Sequence, residues 1–160
     1  MTYRAIISIS QQRLFVWQND SCVYHCQISS AANGIGCIRD SGCTPTGKHY
    51  VRAVIGENHP SLAVFKARRP TGEQWSPELA AEYPERDWIL GRILWLCGTE
   101  LGINRGGEVD TFRRYIYLHA SPDEGVTGVP ASHGCIRLRV NDMLSVFDYL
   151  SYGSLVDILP

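Results

Sequence analysis

Ser132-His133-Gly134-Cys135-Ile136-Arg137-Leu138 is the stretch on which the reading of this chain turns. A cysteine is a strong nucleophile as the thiolate, which backbone N–H groups or a neighbouring base favour by lowering its pKa. Gly134, immediately before Cys135, lets a substrate approach the backbone with no Cβ in the way. The backbone N–H groups of His133, Gly134 and Cys135 are therefore candidates to stabilise a developing oxyanion. Arg137 lies two residues beyond the cysteine; on an extended segment its side chain leaves from the same face. A guanidinium there suits a carboxylate, which it can hold through two parallel hydrogen bonds.

Upstream, Tyr115-Ile116-Tyr117-Leu118-His119 alternates like a half-buried strand and ends on a histidine. The span from Ala120 to Ala131 is rich in Pro, Gly and Asp, which is loop composition. His119 at a strand end and Cys135 after a loop can meet in space, as a Cys/His pair requires. His133 is closer in sequence, yet two residues before the nucleophile its ring need not face the thiol. His119 is thus the expected base.

Ser-His-Gly-Cys with a histidine upstream resembles the YkuD family, the L,D-transpeptidase catalytic domain. The resemblance extends to Ser8-Ile9-Ser10-Gln11-Gln12-Arg13-Leu14, to Thr44-Pro45-Thr46-Gly47-Lys48-His49 and to Asn104-Arg105-Gly106-Gly107-Glu108-Val109-Asp110-Thr111. It implies a mainly-β fold, a YkuD-like β-sandwich of mixed sheets with one long helix after the catalytic cysteine. It also implies Cys135 as nucleophile and His119 as base, with the Ala120 backbone carbonyl fixing the imidazole tautomer. Tyr117 and Ser132 match wall positions of the family, and Thr111 and Arg114 are weaker candidates for substrate contacts. Thr44-Pro45-Thr46-Gly47 is expected to serve as a structural approach to a strand. The interval between His119 and the Ser-His-Gly-Cys motif is shorter than the family's usual one.

Length and composition are consistent with this. A chain of 160 residues forms one domain, here residues 1–160, and buries roughly 70% of its unfolded surface. The formal net charge is −1 and the positive residues are scattered, so nucleic acid is not an expected partner. No apolar run reaches the length of a membrane-spanning helix. Met1 to Ile9 enters a strand pattern with no signal-peptide core, which leads us to expect a cytoplasmic enzyme, or a periplasmic one if a leader has been removed. Six cysteines (Cys22, Cys26, Cys37, Cys43, Cys97 and Cys135) are expected to be reduced thiols, mostly packed as small hydrophobes. The first four lack a Cys-x-x-Cys pair, so no metal is expected, and no cofactor.

Tyr3–Ile9, Arg13–Gln18 and Cys22–Ile28 read as a three-strand meander and Lys48–Ile55 as a fourth strand; Trp88–Leu96 is strongly apolar and fits helix or strand on periodicity alone, and the resemblance implies a core strand. Phe112–His119 reads as another strand, and Ser154–Leu159 as the last. Residues 57–87, with four prolines, read as an irregular insertion that walls or lids the site. One short helix falls within it, at Pro77–Glu82, capped by Ser76. The long helix is expected from an Asn141 cap to Gly153 at C′, with Met143, Leu144, Val146, Phe147 and Leu150 on its apolar face.

Functionally, the resemblance implies attack of Cys135 on the diaminopimelate–D-Ala bond of a peptidoglycan stem tetrapeptide, or of a muropeptide ending in D-Ala, giving a thioester. The expected acceptor is water, which makes an L,D-carboxypeptidase of muropeptide recycling. The alternatives are an L,D-transpeptidase forming 3→3 cross-links and, in another class, a non-catalytic peptidoglycan-peptide binding module. Carbapenems are expected to inhibit by covalent addition to Cys135.

Overall fold

Alternation of apolar and polar residues builds the first strands much as expected. The computed structural model describes residues 2–160. Strands β1 (Arg4–Ser8), β2 (Arg13–Gln18) and β3 (Ser21–Ser29) form an antiparallel meander, with Ala5, Ile7, Leu14 and Val16 turned into the core. They are followed by β4 (Gly47–Ile55), β5 (Ala63–Lys66), β6 (Arg69–Gln74), helix α1 (Pro77–Glu82) and the long strand β7 (Ile89–Gly98). Then come β8 (Tyr117–Ser121), β9 (Ile136–Arg139), helix α2 (Val140–Tyr149) and β10 (Leu155–Leu159).

The strands join in the order β4-β10-β1-β2-β3-β9-β8-β7, and β7 pairs back onto β4. The sheet therefore closes on itself, which leaves these strands without a free edge. It is mixed, with β1 parallel to β10 and β8 parallel to β9. Met143 and Val146 of α2 pack in one cluster with Leu14 and Ile28 from one arc of the barrel and Leu94, Leu118 and Leu138 from the other. Each fully buried aliphatic side chain there contributes roughly 1.5–3 kcal/mol. The expected mainly-β sandwich with a single long helix against it is present in this closed form.

The structure departs from expectation in three places. Residues 57–87 are not irregular: β5 and β6 form a hairpin, and β5 pairs with the first residues of β7. Phe112–His119 is only partly strand, because residues 112–114 form a single 3-10 turn and Tyr115 takes φ +57° before β8 begins. His119 accordingly lies in mid-strand rather than at its end. The long helix starts at Val140, and its first N–H is capped by Asp123 Oδ1 at 3.0 Å rather than by Asn141. Its C-cap is Leu150, and Gly153, at φ +89°, belongs to the turn before β10. Helix α1, by contrast, begins where its sequence says, with Leu79 N–H donating to Ser76 Oγ at 3.1 Å.

Candidate active site

The β8–β9 pair presents two faces of opposite character. Leu118 and Ala120 on β8, with Ile136 and Leu138 on β9, turn to the main core. Tyr117 and His119 turn the other way, as do Cys135 and Arg137, because the parallel register sets Leu118 beside Ile136 and His119 beside Arg137. On that face Tyr117 and Cys135 pack with Ala63, Phe65, Ile93 and Trp95, so the β5–β6 hairpin and β7 wall the site.

The turn that delivers Cys135 is fixed from several directions. Ser132 Oγ donates to Cys135 O at 2.5 Å and accepts from Gly134 N–H at 3.2 Å. Thr44 Oγ1 donates to Gly134 O at 2.9 Å and accepts from Ala31 N–H at 3.0 Å. Ser30 O accepts from the N–H groups of Ala131 and Ser132. Gly134 has φ +139°, and a Cβ on it would stand 3.1 Å from Ile116 Cδ1. Glycine is therefore required by backbone conformation and by packing beneath the turn. Because the Gly134 N–H is turned inward to Ser132, the oxyanion donors that remain from the expected set are those of His133 and Cys135.

Cys135 Sγ accepts from Tyr117 N–H and donates to Tyr115 O, each at 3.3 Å. Burial pushes its thiol up to about 12, and the Tyr117 N–H only partly offsets this. The expected lowered pKa is therefore not found. His119 is fully buried, its Nδ1–H donates to Ala120 O at 2.8 Å, and its Nε2 has no hydrogen-bond partner among the described residues. Burial holds this imidazole below the ordinary histidine value. The resting pair is a neutral thiol and a neutral imidazole whose free lone pair is on Nε2, the tautomer a proton acceptor needs.

The remaining candidates separate into those at the site and those elsewhere. Arg137 Nη2 donates to Asp87 Oδ1 at 3.0 Å, so its charge is already matched by the protein's own carboxylate; its Nε is buried and unpartnered. His133 is 83% exposed at its side chain and lies 3.7 Å from Asp87 Oδ2, facing outward. The Tyr117 hydroxyl accepts from Arg68 Nη1 at 2.8 Å. Thr111 is not a site residue: it is fully buried, and its Oγ1 bonds His49 Nε2 at 2.9 Å. Arg114 is engaged in structure, donating to Gly36 O, Ser41 Oγ and Cys43 O and so bracing the loop beneath the catalytic turn, while it also lines the smaller of the two clefts that meet at His133. Sequence reading passed over Asp87, at the end of a segment with no periodic pattern.

Two clefts meet at His133. One of about 640 Å³ is lined by α1, Trp75, Asp87, Ser121 and Arg137. A smaller one of about 370 Å³ is lined by Arg39, Asp40, Arg113, Arg114, Tyr115 and Ile116.

A thiol and an unpartnered imidazole on neighbouring strands of a barrel wall place the chain among domains with a cysteine nucleophile. More narrowly, it belongs to the YkuD family: the model of that family, the L,D-transpeptidase catalytic domain, matches residues 2–158. No curated protein sequence matches the chain. Among solved structures it is similar to the L,D-transpeptidase (residues 123–326) of Xylanimonas cellulosilytica DSM 15894, with TM-score 0.58 and 17% identity over 99% of this chain and 60% of that one. L,D-transpeptidase 3 from Mycobacterium tuberculosis, in complex with a faropenem-derived adduct, gives TM-score 0.59 and 15% identity over 99% and 60%. The L,D-transpeptidase LdtMt1 in complex with imipenem gives 0.57 and 17% over 99% and 59%. The chain thus spans about 60% of the length of these structures.

Proposed function

We propose that the chain is a cysteine peptidase of the L,D-carboxypeptidase kind, cleaving the diaminopimelate–D-Ala bond of peptidoglycan tetrapeptides. The observation that carries this reading is the lone, buried Nε2 of His119 on the same face as Cys135 Sγ. In the first step Nε2 takes the thiol proton as sulfur attacks the carbonyl carbon, so no free thiolate need accumulate. Negative charge moves to the carbonyl oxygen, for which the N–H groups of His133 and Cys135 are the available donors. Collapse of that intermediate expels D-Ala, whose amine takes the proton from Nε2, and leaves a thioester on Cys135. Water, deprotonated by the same Nε2, then releases the tripeptide and restores the thiol.

Water as acceptor is supported by the smaller cleft, where an amine arriving as ammonium meets three guanidiniums, Arg39, Arg113 and Arg114, against the single carboxylate of Asp40. The presence of two clefts favours a second reading, 3→3 cross-linking, in which donor and acceptor peptides enter from opposite sides of His133. Six free thiols, with Cys22 exposed and Cys37 and Cys43 half-buried, support a reducing compartment, the cytoplasm, and with it a role in recycling.

Mass spectrometry of a disaccharide-tetrapeptide after incubation tests the reading. Loss of one D-Ala is expected; a cross-linked dimer establishes the second reading, and an unchanged peptide leaves only a binding module. An imipenem-type carbapenem is expected to add to Cys135 and not to the Cys135→Ala variant.

A further inference from the structure

We propose that Arg68, at the tip of the β5–β6 hairpin, is the residue that binds a carboxylate of the substrate beside the nucleophile. This deepens the reading above and rests on it. Arg137, the cation nearest Cys135 in sequence, is already neutralised by Asp87. Arg68 has no ion-pair partner among the described residues. Its guanidinium lies 5.0 Å from the Trp95 ring centroid and 4.5 Å from that of Tyr115, and its Nη1 donates to Tyr117 Oη at 2.8 Å. Both tyrosines also bond the nucleophile through their backbones, Tyr117 N–H to Cys135 Sγ and Cys135 Sγ to Tyr115 O. The aromatic faces and the phenol fix the plane of the cation but bring no negative charge. Among the described residues only one of its five N–H donors is hydrogen-bonded, which leaves an edge free for a bidentate carboxylate.

The backbone supports a role beyond packing. Ala67 and Arg68 form the two-residue hairpin loop with φ +48° and +65°, a conformation that favours Asn-Gly and is unfavourable for both residues present. A strained residue in contact with an active-site wall is a position where the side chain matters more than the turn.

The test uses the full chain and compares wild type with Arg68→Gly and Arg68→Lys on three substrates: the tetrapeptide, its C-terminal amide, and the peptide amidated at the diaminopimelate side-chain carboxylate. Arg68→Gly relaxes the turn, so its thermal midpoint is expected to equal or exceed that of wild type. Its KM for the unmodified peptide is expected to rise about tenfold or more, the size of a lost charge-assisted hydrogen bond, with kcat much less affected. Arg68→Lys recovers part of that loss. For one of the two amides, wild type and Arg68→Gly become equal, which identifies the carboxylate held. If wild type is active and Arg68→Gly keeps its KM, or if the variant is impaired equally on all three peptides, the assignment to Arg68 is wrong. If wild type itself releases no D-Ala, the reading of the activity fails first.

Discussion

His49 and His119 are two buried imidazoles held in nearly the same way, and they differ in what meets the second nitrogen. In each, Nδ1–H donates to a backbone carbonyl close by, Gly47 O at 2.9 Å for His49 and Ala120 O at 2.8 Å for His119. Burial lowers both pKa values, that of His49 to about 4. The contrast lies at the other nitrogen. His49 Nε2 accepts from Thr111 Oγ1 at 2.9 Å, whereas His119 Nε2 is left bare on the face that carries Cys135. Burial and tautomer are thus generic products of this fold; an unmet lone pair on the face that carries a thiol is what the proposed base has and the structural strut lacks.

The sharpest way to break the comparison is to remove each imidazole's distinguishing feature. His119→Gln is expected to slow covalent addition of a carbapenem about 10²- to 10⁴-fold, the usual contribution of a general base, while the variant still folds. Stopped-flow or timed mass measurement of the adduct reads this directly. A rate close to wild type would mean that His119 is no more a base than His49.

Acid supplies the next largest effect. A histidine depressed in the folded state is stabilising when neutral, so its contribution is complete above the unfolded pKa near 6.5. It is lost as pH falls toward 4. For His49 the loss amounts to about 3 kcal/mol across that window. Denaturant titrations at pH 7, 5.5 and 4.5 should show the fall, and a flat profile would remove His49 from the account. The smallest change is expected from Thr111→Val, which leaves His49 Nε2 as bare as that of His119. It should cost about 1–3 kcal/mol in the same titration and leave the rate of carbapenem addition unaltered.

The early strands were legible because one face of each is buried, which imposes strict alternation; Arg13–Gln18 matches its observed bounds residue for residue. Helix α1 was legible from Ser76 and Pro77 alone, since its cap is local. The N-terminus of α2 was not, because its cap comes from Asp123, 17 residues upstream. The β5–β6 hairpin was hidden for two physical reasons: its loop is Ala-Arg instead of Asn-Gly, and the edge strand β6 carries Pro70 and Gly72, which strand patterns disfavour. At the site, the face shared by Cys135 and Arg137 followed from strand geometry, whereas the mid-strand place of His119 did not. The protonation states did not, because desolvation depends on the walls that β5, β6 and β7 supply. Thr111 and Arg114 show the converse limit: proximity to a motif cannot reveal that a hydroxyl or guanidinium is already engaged elsewhere.

Closure of the barrel has a consequence for the order in which the enzyme comes into being. The strand that links β1 to β4 is β10, which is made after every other strand of the barrel. A nascent chain ending before Leu155 would already hold every reacting atom, yet its ring would stay open at two adhesive margins. Competence of the thiol therefore waits on β10, and deleting Leu155–Leu159 should abolish turnover without touching a single chemical group at the site.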